Sequence, residues 1–278
     1  MNKLKPLPEE WSGLLNNEQK EAIENINGTL LIIAGAGSGK TRVLTYRYAH
    51  LIKTYGINFE NVLAITFTNK AANEMKDRIS DLLNLELSPK WISTFHSLCV
   101  KMLRIHGHLI GFNNNFTIYD QSDSTKLVRN CMRDSDIDTK QYSPKRIQAH
   151  ISSLKNQRIL PGEAVEFAQS FFDVKVAEIY SSYQKKLMLA NSMDFDDLLI
   201  KAVELLETSD KSLNYWSSKF QYIMIDEYQD TNMVQYRLVE LLASKHKNIC
   251  VVGDSDQSIY AFRGCLLYTS DAADEVVS

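Results

Sequence analysis

The sequence predicts an α/β fold: a parallel sheet flanked by helices, interrupted by an all-helical insertion. Three observations carry this. Short apolar runs alternate with stretches of helical periodicity, the pattern of a doubly wound sheet. A Gly-rich turn links the first apolar run to the first long helix. The stretch 116–190 has helical periodicity and no convincing buried strand.

The elements follow in order. Residues 14–27 (LLNNEQKEAIENIN) read as a short helix, capped by Asn16 or Asn17, with Ala22, Ile23 and Ile26 on one face. Residues 29–34 (TLLIIA) are an apolar run suited to a strand buried on both faces. After the Gly-rich turn a helix runs over about 39–53. Residues 61–67 (NVLAITF) form a second strand, 69–83 a helix, and 91–94 a third strand. Two more strands are 222–225 (YIMI) and 248–252 (NICVV). In the insertion, Ser143-Pro144 opens a helix with Ile147, Ile151 and Leu154 on one side. Asp194 caps another, with Leu198, Leu199, Ala202, Leu205 and Leu206 facing inward. The expected organisation is an α/β domain in two parts, 1–115 and 191–264, an insertion at 116–190, and a separate tail at 265–278.

A chain of 278 residues suits about two domains at roughly 150 residues each. With 44% hydrophobic and 23% charged residues it has globular composition. No apolar run approaches the roughly 18 residues of a membrane span. The start, MNKLKPLPEEW, lacks the apolar core of a signal peptide. Cys99, Cys131, Cys250 and Cys265 contain no CxxC pair, which excludes a cysteine zinc site and points to a reducing, cytoplasmic setting. The tail 265–278 holds Asp271, Asp274 and Glu275 and no Lys or Arg; without it 31 basic residues face 31 acidic ones. Global charge therefore does not select a nucleic-acid partner. Locally, residues 121–160 hold eight basic and four acidic residues, either a solvated helix face or a phosphate-contacting surface.

Three motifs carry chemistry. The stretch Ala34, Gly35, Ala36, Gly37, Ser38, Gly39, Lys40, Thr41 matches a phosphate-binding loop, with Ala at its first position. Its glycines allow a tight turn that aims several backbone N–H groups at one anion, reinforced by the positive end of the following helix. Lys40 reaches the β- and γ-phosphates, and the Thr41 hydroxyl suits Mg2+. The second motif, Asp226-Glu227-Tyr-Gln-Asp, directly follows the YIMI strand, where open α/β sheets place ligands. Asp226 suits the metal and Glu227 the general base. The third, Gly253-Asp254-Ser-Asp-Gln257, follows the NICVV strand, and Gln257 is placed to sense the γ-phosphate or orient water.

With these three in this order, the chain resembles the first motor domain of a superfamily 1A DNA helicase of the UvrD/Rep/PcrA type, over about residues 12–264. LNNEQKEAI resembles the adenine-reading motif, which makes Gln19 the base contact. AGAGSGKTRVL resembles motif I and puts Arg42 next to the nucleotide. TFTNKAANEMKDRI and STFHSLC resemble the blocks that hold single-stranded DNA. DFDDLL precedes motif II in this family, DEYQDTN resembles motif II, and VVGDSDQSIYAFRG resembles motif III. The insertion falls where the family carries helical subdomain 1B.

The resemblance implies a P-loop NTPase of RecA-like fold, ATP and Mg2+, and a 3′→5′ translocase on single-stranded DNA and single/double-strand junctions; a monomer is expected, although the sequence does not report oligomeric state. Stacked bases add roughly 1–3 kcal/mol each. Phe67, Tyr260 and Phe262 are candidate platforms, Phe262 standing where many relatives have Trp. Thr68, Asn69, Lys70, Thr94 and His96 are candidate backbone contacts, and Arg263 links the DNA side to the γ-phosphate. The other five histidines, His50, His106, His108, His150 and His246, stand outside every matched block. In the family, arginines that complete the γ-phosphate site come from a second motor domain, and such fingers supply about 10³–10⁵ in rate. The chain alone is therefore expected to bind Mg-ATP weakly, turn it over slowly and unwind nothing. The tail CLLYTSDAADEVVS resembles a translated sequencing adapter and is expected to be foreign to the family pattern. Three rivals stand beside this reading: a different P-loop machine such as a recombinase or RNA-directed helicase, a non-catalytic single-strand binding fragment, and the motor part of an AddA/RecB-type helicase-nuclease.

Overall fold

The computed structural model of the chain describes residues 5–35, 37–86 and 89–254. Ala36, Gln257, Tyr260, Phe262, Arg263 and the 265–278 tail lie outside the described residues. In chain order the elements are α1 (Glu9–Ser12), α2 (Asn17–Glu24), β1 (Thr29–Ile33), α3 (Lys40–Lys53), β2 (Val62–Thr66), α4 (Asn69–Leu83), β3 (Ile92–Thr94), α5 (Phe95–His106), β4 (Thr117–Tyr119), α6 (Gln121–Asp134), α7 (Pro144–Asn156), α8 (Phe171–Leu189), β5 (Ser192–Asp194), α9 (Phe195–Thr208), α10 (Asp210–Lys219), β6 (Tyr222–Ile225), α11 (Met233–Ala243) and β7 (Ile249–Gly253). They form two compact units, one running up to Leu98 and resuming at Asp210, the other spanning Cys99–Ser209.

In the first unit, β1, β7, β6, β2 and β3 pair in that order, every pairing parallel. The apolar runs fit this because a parallel sheet is covered on both faces. Leu30, Val62, Ala64, Met224 and Val252 bury one face against Leu44 and Tyr48 of α3 and Met75 of α4. The alternate residues Leu63, Ile65, Ile223 and Ile225 point the other way and are buried as well. The predicted mixed α/β architecture with a parallel central sheet is the one observed. The helix ends are set by side chains. Asn16 caps α2 in a reciprocal box with Gln19, so that helix starts later than the 14–27 reading. Thr68 caps α4 by accepting from Ala71 N at 3.1 Å.

The second unit is wider than the 116–190 insertion, because α9 and the last turns of α5 belong to it. It also corrects the expectation of an all-helical insertion: β4 pairs in parallel with β5. Each strand has only three residues and β4 is partly exposed, so neither forms a legible apolar run. The core gathers Val128, Met132, Ile147, Ile151, Tyr180 and Leu187 from α6, α7 and α8. Asp194 caps α9 as expected. Its carboxylate also accepts from Lys155 Nζ at 2.7 Å and from Tyr183 OH at 2.8 Å, while Asp197 accepts from Lys155 at 2.8 Å. Burial disfavours the Lys155 charge, yet these two carboxylates hold its pKa above that of a free lysine.

Candidate functional site

The loop after β1 turns as the glycines predict. Gly37 has φ 78° and Gly39 φ 89°, left-handed values that favour residues without a Cβ. Gly39 is the N-cap of α3 and supplies no side-chain cap. The first N–H groups of a 14-residue helix are thus left facing the loop, where an anion is stabilised. Lys40 and Thr41 begin that helix. A Cβ on Gly39 would stand 3.0 Å from Gln19 Nε2, so α2 closes tightly over the loop. Gln19 Nε2 donates to the Ser38 carbonyl at 3.1 Å, joining the expected base-reading residue to the phosphate loop. Arg42 is exposed, its guanidinium 5.6 Å from the Tyr46 ring centre. Tyr46 in turn packs edge-on against buried Trp11.

Two neighbouring strands bring the acids to the same edge. Asp226 follows β6, and Thr41 Oγ1 donates to its Oδ2 at 2.9 Å. Asp226 is 3% exposed; burial pushes its pKa up, and the Thr41 hydrogen bond pulls against that. Asp254 follows β7 and pairs with Lys40 Nζ at 2.9 Å. Glu227 adopts a left-handed conformation, φ 53°, which turns the chain sharply at the strand end. Its carboxylate accepts from Gln229 Nε2 at 2.6 Å, while Gln229 Oε1 accepts from Asp254 N at 3.1 Å. Gln229 is buried and ties the ends of β6 and β7 together. Neither Gln229 nor Asp254 was singled out from sequence. Both lie inside quoted motifs, but their roles come from strand adjacency, which no local spacing reveals.

Thr41 and Asp226 form a hard-oxygen pair of the kind that Mg2+ takes together with substrate phosphates. Among the described residues no group of three or more His, Cys, Asp or Glu could hold a metal by itself.

The predicted single-strand contacts gather at the ends of β2 and β3, beside β6. Phe67 is half-buried and meets buried Phe95 edge-on, ring centres 5.7 Å apart. Thr68, Asn69 and Lys70 are exposed. Thr94 is buried, and its hydroxyl donates to Ser97 Oγ at 3.0 Å. His96 is half-buried in the first turn of α5.

The family model for the UvrD/REP helicase N-terminal domain matches residues 15–275, running past Gly264 into the stretch read as foreign. The ATP-dependent DNA helicase PcrA of Staphylococcus aureus is 49% identical over 250 residues, covering 90% of this chain and 34% of that protein. PcrA of Staphylococcus epidermidis gives the same identity and coverage. The chain thus spans about a third of the length of these curated relatives. A parallel sheet with its phosphate loop and acidic pair on one edge, matched over most of its length by one domain model, places this chain in the UvrD/Rep helicase family.

Proposed function

We propose that this chain is the first motor domain, 1A with 1B inserted, of an ATP-dependent DNA helicase that moves 3′→5′ on single-stranded DNA. The carrying observation is the 2.9 Å contact between Thr41 and Asp226, which brings the phosphate loop and the acidic pair to one point. Backbone N–H groups of Gly35, Gly37, Ser38 and Gly39, with Ala34 leading into the turn, cradle the phosphates, and Ala36 belongs to the same loop by motif position. Lys40 neutralises the β- and γ-phosphates, Gln19 reads the base and Arg42 flanks it. Thr41 and Asp226 would hold Mg2+, which when bound would supply charge neutralisation to the phosphates. Glu227, held by Gln229, accepts a proton from the water that attacks the γ-phosphorus. By motif position Gln257 and Arg263 complete the γ-phosphate side.

Phe67, Thr68, Asn69, Lys70 and His96 grip an unpaired strand on the β2–β3 rim, with Thr94 beneath them and Tyr260 and Phe262 as further platforms. Because β6 is hydrogen-bonded to β2, a shift at the acidic pair is transmitted to that rim over one strand spacing, about 4.8 Å. The protein acts in the cytoplasm as a monomer on single strands and single/double-strand junctions. The 278-residue chain on its own binds Mg-ATP weakly, turns it over slowly and does not unwind.

The test is paired binding by the wild-type chain and Lys40→Ala, with a fluorescent ATP analogue plus Mg2+ and with a labelled single-stranded DNA. Nucleotide affinity falls by about tenfold or more, the worth of one charge-assisted contact, while DNA affinity stays near wild type. Equal nucleotide binding by the two proteins overturns the reading. A parallel RNA oligonucleotide separates the DNA motor from an RNA-directed one.

A further inference from the structure

The contact between Lys40 and Asp254 is the most enclosed ion pair of the phosphate loop, 2.9 Å long with side chains 9% and 1% exposed. It closes across two paired strands, since Ala34 N donates to Gly253 O at 3.1 Å. The main chain at Asp254 is held in place as well. Its N–H donates to Gln229 Oε1, and a Cβ on Gly253 would lie only 3.2 Å from that same oxygen. The carboxylate therefore sits at a fixed point with little water around it. A carboxylate in that setting needs a counter-charge, because removing its partner leaves a buried charge uncompensated. Lys40 supplies such a counter-charge. Yet the Lys40 ammonium is the same group the loop presents to phosphate oxygens, and it has just three N–H donors to distribute.

We propose that Asp254 is a built-in competitor for Lys40, an internal anion that a polyphosphate must displace. It thereby sets both the affinity of the loop and its preference for densely charged ligands. This rests on the polyphosphate reading of the loop. A monophosphate or chloride brings too little charge to draw Lys40 from a buried carboxylate, whereas a di- or triphosphate brings several oxygens within reach of one ammonium. Asp254 acts on the ligand through Lys40 and is a positioning residue.

The experiment is calorimetric titration of the 278-residue chain with Mg-ATP, ADP and inorganic phosphate, in wild type, Asp254→Asn, Lys40→Ala and the double variant. Asp254→Asn tightens ATP and ADP by about tenfold, the scale of one partly screened charge pair, and raises phosphate binding relative to ADP. In the Lys40→Ala background the same substitution changes nothing, because the contested cation is gone. Asp254→Asn affinity equal to or weaker than wild type, with Lys40→Ala weaker than both, overturns the proposal but leaves the polyphosphate reading standing. Equal ATP binding by wild type and Lys40→Ala overturns both. Thermal melts report folding, and Asp254→Ser serves if Asp254→Asn unfolds. If neither folds, pulsed acylation of wild type read by mass spectrometry decides. Lys40 modified much more slowly than the 88%-exposed Lys70 supports the pair, and equal rates overturn it.

Discussion

At Asp226 burial works against the charge that its proposed role as a metal ligand requires. Desolvation raises its pKa, and the hydroxyl of Thr41 is the nearest group that offsets this. Gln229 solves a related problem for Glu227. One amide satisfies a carboxylate and a buried backbone N–H at once. Gln229→Leu keeps the volume and removes both partners. It lowers unfolding free energy by about 1–3 kcal/mol, the cost of orphaning buried polar groups, read by urea denaturation. His50 is a separate matter. It is fully buried on α3, and its Nδ1 lies 2.9 Å from Thr54 Oγ1. Burial lowers its pKa below the ordinary 6.5. The folded state then binds fewer protons than the unfolded chain, so stability is present above about pH 6.5 and falls as the pH drops below it. Wild type loses more of its melting temperature between pH 7.5 and 5.5 than His50→Gln does. Lys40, Thr41 and Asp226 were legible because each sits at a fixed offset within a local motif. Asp254 and Gln229 were hidden because each takes its role from the strand next to its own.

Elements were legible where burial imposes a period. The strands β1, β2, β6 and β7 are apolar runs because both faces are covered, and each was anticipated to within a residue or two at its ends. The helix α4 begins at Asn69 and ends at Leu83 as read, its start marked by Thr68 and its end by the left-handed Asn84. The pair β4–β5 escaped because three residues cannot show a period, and its partners lie 75 positions apart at Thr117 and Ser192. The short α1 follows Pro8 and contains a single buried residue, Trp11, too little for a pattern. In the second unit Lys155 on α7 reaches the start of α9, holding two elements by one buried cation. Lys155→Met strands two buried carboxylates. It costs about 3–5 kcal/mol, measurable as a lower denaturation midpoint followed by helical circular dichroism. Asp197→Asn added to that variant restores part of the loss, since one uncompensated charge is then gone.

At the scale of the first unit, strand order is the organising fact. With β1, β7 and β6 side by side, the phosphate loop, Asp254 and the acidic pair share one edge. With β2 and β3 continuing that edge, Phe67 to Lys70 and His96 follow directly beyond. Under the proposed function, a sheet so arranged would couple two ligands without a long-range path, because their proposed sites are the ends of hydrogen-bonded neighbours. Everything depends on one metal being held jointly from β6 and from the start of α3. Mn2+ in place of Mg2+ makes that visible. Electron paramagnetic resonance of free Mn2+, titrated with the chain in the presence of ATP, reports the bound metal-nucleotide complex. Thr41→Ala and Asp226→Asn should each weaken that binding by about tenfold or more, the loss of one metal-directed oxygen. Binding of Mn-ATP at wild-type strength by both variants would contradict the account.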